Sequence, residues 1–211
     1  LVYILTLESA AEMERAFGIP SIADHYTQIA SAIRGTIREK YWDATRGLFA
    51  DTYDHRSFSQ HVNSLAILAG IVTGEEATRV MERTLNDSSL IQATIYFRYY
   101  VHQALKVAGM GDHLLDNLQI WRDQMALGLT TWAEMPEPTR SDCHAWGASP
   151  NIEFFRILLG IDSNAPGFKS IRIAPSLGDL KEVSGTMPHP VGSVTASYKL
   201  DKKGKLTARL I

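Results

Sequence analysis

Residues 128–150 read GLTTWAEMPEPTRSDCHAWGASP, and the rest of the chain is arranged around them. Helical patterning runs up to Gly128 and restarts at Ser141 or Ser149. Between lie Trp132, Glu134, His144 and Trp146, set among Pro136, Pro138 and Pro150. Packing alone explains such a mixture poorly. A loop on a rigid scaffold is where side chains that must meet a ligand are commonly placed.

Working back toward the N-terminus, the pattern is helical throughout. Residues 1–17 read as a helix stopped by Gly18. A second begins at Pro20-Ser21, with Ser21 as its expected N-cap. Its apolar stripe is Ile22, Tyr26, Ile29, Ile33, Ile37 and Tyr41, at spacings of three and four. Residues 48–53 read as a short extended connection. A helix then runs from about residue 60 to Ile71. Thr73 and Glu76 form a capping-box pattern for the next, which has Val80, Met81 and Leu85 on its buried side. Residues 90–108 read as one aromatic-rich helix, with Tyr96, Phe97, Tyr99 and Tyr100, and residues 112–127 as another. After the loop, helix continues to Gly160. About seven helices joined by short Gly- and Pro-marked turns predict an antiparallel helical array, with no βαβ alternation.

Toward the C-terminus the period changes to two. Residues 170–174, 182–187, 193–200 and 205–211 alternate apolar and polar. The turn at Asp201-Lys202-Lys203-Gly204 predicts a hairpin. Two or three strands are not stable alone, so this β appendage must pack on the helices or continue past Ile211. The chain starts at Leu1 and stops inside a strand pattern. We therefore expect a piece of a longer protein, helical over 1–161 and β over 162–211.

Composition narrows the function. The 211 residues are 45% hydrophobic, enough to bury a core. A formal charge of −2 and a pI near 6.4 favour neither nucleic acid nor an anionic membrane as partner. No apolar run approaches a membrane span, and no signal peptide is visible. The lone Cys143 excludes an internal disulfide and is expected to be a small buried hydrophobe. No His/Cys/Asp cluster has zinc spacing, so neither metal nor cofactor is expected.

A carboxylate, aromatic platforms and polar donors in one concave site suit carbohydrate chemistry. Glu134 is the candidate acid–base residue, Trp132 and Trp146 are candidate stacking faces, and His144 is a candidate donor to a sugar hydroxyl or to Glu134. Each has a plainer reading: a solvated carboxylate, a structural histidine, two packed indoles. Glu137 and Asp142 read more simply as solvated or helix-start charges, and Arg140 as a local carboxylate partner.

Thr130-Thr131-Trp132-Ala133-Glu134 and then Arg140-Ser141-Asp142-Cys143-His144-Ala145-Trp146 resemble the C-terminal part of bacterial α-L-rhamnosidases, glycoside hydrolase family 78. So do Gly160-Ile161, Pro166-Gly167-Phe168, Ile173-Ala174-Pro175, Leu177-Gly178 and Pro188-His189-Pro190. Many family members carry Trp directly before the Glu, whereas here Ala133 intervenes. The resemblance implies about the second half of an (α/α)6 toroid leading into a C-terminal β domain. It also implies inverting hydrolysis of terminal α-L-rhamnose, in which an acid protonates the leaving oxygen and a base activates water. Glu134 falls on the general base and His144 on a sugar-contacting histidine, while Gln92 and Tyr96 resemble residues of the site wall. The family's Asp-rich general-acid motif is absent; Glu8, Glu12 and Glu14 do not match it. The isolated chain is therefore expected to lack the acid and to be inactive alone. Its partner is expected to be a rhamnose-containing oligosaccharide or glycoside. Apolar helix flanks left bare by half a toroid predict a homo-oligomer. The competing readings are another α/α-barrel glycosidase and a catalytically inactive sugar-binding or scaffold protein.

Overall fold

The computed structural model describes residues 1–211. About half of the chain is helical, with small antiparallel sheets, and it divides into two compact units, residues 1–109 and 110–211. No helix is long and apolar enough to cross a membrane.

The first unit opens with α1 (Val2–Phe17) and α2 (Pro20–Tyr41). The stripe read from the sequence is the contact between them. Tyr26, Ile29, Ile33 and Ile37 of α2 pack on buried Ile4 and Leu7 of α1, with Ala30 and Ala69 completing the cluster. Each fully buried Ile or Leu contributes roughly 1.5–3 kcal/mol through removal from water. Arg34 ties this helix pair to the backbone at Ala69. Its guanidinium pairs with Glu8 and donates to the Ala69 carbonyl at 2.6 Å. The start of α2 differs from expectation. Pro20, not Ser21, heads the helix, and Glu14 accepts the Ile19 N–H at 2.8 Å. Proline is suited to the first helical position because its missing N–H would have no partner there.

Next comes a two-residue hairpin, β1 (Trp42–Asp43) against β2 (Leu48–Phe49), where the sequence suggested only a short connection. Helix α3 (Gln60–Leu68) begins after Ser59, whose hydroxyl caps the Val62 N–H. Helix α4 (Gly74–Asn86) lacks the expected capping box: Thr73 makes no side-chain cap, and Glu76 instead pairs with Arg38 at 2.6 Å. The largest correction concerns residues 90–108. Only α5 (Arg98–Val107) is helical. The Ile91 N–H goes to the Phe58 carbonyl and the Gln60 N–H to Ile91, both at 3.0 Å, while Ala93 donates to the Gln60 side chain at 2.9 Å. Tertiary hydrogen bonds capture this backbone before a helix can.

The second unit begins with short 3-10 turns at Gly111–His113 and Leu115–Leu118, then α6 (Gln119–Ala126). The single helix expected over 112–127 is broken. The Asp112 carboxylate accepts from Gly178 at 2.8 Å, and the Asn117 side chain donates to the His113 carbonyl. After the loop come a 3-10 turn (Ala145–Ala148), α7 (Pro150–Glu153) and a π turn (Phe154–Leu158). Arg156 in that π turn makes a two-point pair with buried Asp162 at 3.0 and 3.2 Å, tying it to β3 (Ile161–Ser163). Gly160 between them has φ +68, and a Cβ there would sit 2.1 Å from the Ala174 backbone. Strand β3 pairs with β4 (Ile171–Ile173).

The three-stranded sheet β5 (Glu182–His189), β6 (Gly192–Leu200) and β7 (Leu206–Leu210) matches the alternation in the sequence. One face packs Met187, Ala196 and Tyr198 on Leu159 and Ile161, and the Tyr198 hydroxyl donates to the Leu159 carbonyl at 2.9 Å. Every residue of β7 is exposed.

Candidate active site

Helix α6 gives way at Gly128, whose φ of +82 lets the chain reverse. Residues 129–144 then form an irregular excursion that returns on itself. The His144 N–H donates to the Trp132 carbonyl at 2.7 Å and the Glu134 N–H to Ser141 at 2.9 Å, while the Thr131 hydroxyl donates to the Asp142 carbonyl. These bonds lace two limbs together, with residues 135–140 as the tip.

The outgoing limb and the 3-10 turn that follows the returning limb are tied to one face of α6. Gln124 is 4% exposed, and its amide holds Ala133 from both sides, accepting from the Ala133 N–H at 2.9 Å and donating to the Ala133 carbonyl at 3.4 Å. One turn earlier, the buried Trp121 indole donates to the Gly147 carbonyl at 2.7 Å. Glu134 thus comes directly after a pinned residue, and Trp146 directly before one.

Glu134 keeps 17% of its side chain exposed and is gripped by Arg140, whose Nε donates to Oε2 at 3.0 Å while Nη2 donates to Oε1. The guanidinium holds the Glu134 carboxyl below the usual carboxylate range, with the charge of His144 adding to the effect. Arg140 is correspondingly raised by the same pair. The loop therefore brings Glu134, Arg140 and His144 together electrostatically. Trp132 is half-buried and faces a cavity of about 250 Å³ that it lines with Trp121, Met125 and Phe154. Trp146 is 63% exposed on its 3-10 turn. Glu137 accepts from its local Thr139 N–H, and Asp142 is exposed. Cys143 is exposed rather than buried, because the laced limb leaves residues 142–143 on the outside.

Gln92 and Tyr96 belong to the first unit. Gln92 is exposed and donates to the Leu90 carbonyl at 2.9 Å. Tyr96 is 41% exposed and meets Tyr100 edge-on, and a hydrogen bond between the two raises the Tyr100 pKa. Phe97 is half-buried between His61, at a ring separation of 4.3 Å, and Tyr100.

Sequence reading missed Gln124. The signal was a polar residue three positions after Trp121, on the helix face that Trp121 buries.

Comparison with known proteins gives two findings. Residues 160–210 match the bacterial alpha-L-rhamnosidase C-terminal domain. The chain is also similar in structure to the GH78 family rhamnosidase of Bacillus sp. GL1, with a TM-score of 0.86 and 26% identity over 98% of the chain. Two rhamnosidases solved with rhamnose share the fold. That of Streptomyces avermitilis has a TM-score of 0.75 and 17% identity over 98% of the chain; that of Klebsiella oxytoca has 0.65 and 22% over 72%. The chain spans 24%, 21% and 32% of these three proteins, respectively. No curated protein matches the sequence. The resemblance is thus carried by sequence over residues 160–210 and by structure over nearly the whole chain: this chain resembles a part of the α-L-rhamnosidases of glycoside hydrolase family 78.

Proposed function

We propose that the chain is part of an inverting α-L-rhamnosidase that removes terminal α-L-rhamnose from a glycoside or oligosaccharide. In this reading residues 1–161 supply about half of an (α/α)6 toroid and residues 162–211 begin a C-terminal β domain. Glu134 is the general base, and the general acid lies outside these 211 residues. His144 contacts the sugar, Trp132 and Trp146 offer it apolar faces, and Gln92 and Tyr96 contribute to the site wall. The reaction needs two carboxyl groups and a water, with no metal or cofactor. Helix flanks left bare in an isolated half toroid associate with those of a second copy.

The observation that carries this reading is the placement of Glu134. A general base must be held in place, and Glu134 follows directly after a residue pinned to α6, with Arg140 donating to its carboxylate from the returning limb. The match of residues 160–210 and the rhamnose in two of the similar structures point to the sugar.

Hydrolysis of p-nitrophenyl α-L-rhamnoside, by this chain and by any longer product of its gene, tests the reading. Activity is expected in the longer product, with inversion at the anomeric carbon seen by NMR. Glu134→Gln is expected to lower kcat by orders of magnitude without unfolding the protein. Wild-type turnover in that variant overturns the base assignment.

A further inference from the structure

We propose that Gln124 is the positioning residue of the Glu134 loop: its buried amide, clasping Ala133 through both backbone groups, sets the direction in which Glu134 presents its carboxylate. The inference rests on Glu134 being the base, and adds a residue that touches neither substrate nor the reacting atoms.

Residues 129–144 contain no strand or helix of their own, so their backbone groups are not fixed by a regular ladder. The lacing bonds fix the limbs to each other but not to the helix; α6 supplies the hydrogen bonds that do. The Trp121 indole has one N–H, and it goes to Gly147, thirteen positions beyond Glu134 in the chain. Gln124 makes two bonds, both to the residue immediately before Glu134. Two bonds to one residue's backbone fix its rotation as well as its place. That fixes where the next Cα–Cβ bond points.

The electrostatics depend on the same geometry. Arg140 rides on the returning limb and meets both carboxylate oxygens of Glu134. A two-point guanidinium–carboxylate pair is directional. If Ala133 turns, Glu134 turns with it and the fork no longer matches. Glu134 would then return toward an ordinary carboxylate. The readout of Gln124 is therefore the titration of a different residue, which a plain packing role would not move.

Gln124→Met keeps the volume and the helix while removing both bonds. Trp121→Phe serves as contrast, since it removes the other tether from the same helix face. In this chain, carbon-13 carboxyl NMR is expected to show Glu134 titrating below the ordinary glutamate value of about 4.3. In Gln124→Met it rises toward that value; in Trp121→Phe it stays low. In a product of the gene that hydrolyses the rhamnoside, Gln124→Met is expected to lower kcat by roughly 100-fold, the scale expected for a misplaced catalytic group, with little change in KM. A Gln124→Met protein that is folded, with the Glu134 titration and kcat unchanged, overturns the proposal. Glu134→Gln with normal turnover instead overturns the base assignment, and the titration result then stands or falls by itself.

Discussion

Asn63 on α3 and Gln124 on α6 are both buried primary amides that clasp one non-helical residue by its N–H and its C=O. Asn63 accepts from Phe49 at 2.8 Å and donates back at 3.1 Å; Gln124 does the same to Ala133 at 2.9 and 3.4 Å. The surroundings differ. Asn63 and Phe49 are fully buried, and Phe49 rests edge-on against Trp42 inside the first unit. Ala133 is buried too, but the residue after it is a charged carboxylate with its own cation. One physical device thus serves two ends: in the first unit it completes a core, and in the second it presents a side chain.

The largest expected effect is Asn63→Leu. It leaves the N–H and C=O of Phe49 buried without their partner, at about 1–3 kcal/mol for each group. Urea unfolding of the chain is expected to show a loss of about 3–5 kcal/mol. Gln124→Met comes next, at about 1–3 kcal/mol, because one of its two bonds is long, at 3.4 Å. An equal or larger loss for Gln124→Met than for Asn63→Leu breaks the comparison, since it would make the loop clasp as structural as the core one.

The smallest effect on stability sharpens it. Arg140 is 76% exposed, so Arg140→Gln is expected to lower neutral-pH stability only slightly. Its signature is in pH. Because the folded-state pKa of Glu134 is lowered, the pair stabilises the fold above the unfolded value of about 4.3 and ceases to do so as pH falls through the folded pKa. Arg140→Gln removes that dependence. It also moves the acidic limb of the kcat profile upward toward about 4.3, since the base then protonates sooner. A limb that does not move separates Arg140 from the working carboxylate.

These residues also show what a sequence can and cannot disclose. The α1–α2 contact was legible because a stripe at spacings of three and four has one geometric meaning. The β5–β7 sheet was legible by alternation. The loop itself was visible as an odd composition around Glu134. The extent of α5 was not, since residues 90–97 carry helix-compatible side chains and are diverted by hydrogen bonds to Phe58 and Gln60, more than thirty residues away. Gln124 stayed hidden although its partner Ala133 is only nine residues on. A glutamine on a helix looks solvated until the path of the irregular loop after it is known.

Gly160 carries a consequence for how this sequence can change over time. Any side chain there would have to displace the Ala174 backbone, which cannot yield by rotating a bond. The joint between the π turn and β3 therefore tolerates no gradual drift. A saturation library at this position, selected for folding, is expected to return glycine alone. Lineages sharing this joint should stay fixed at this one atom's width.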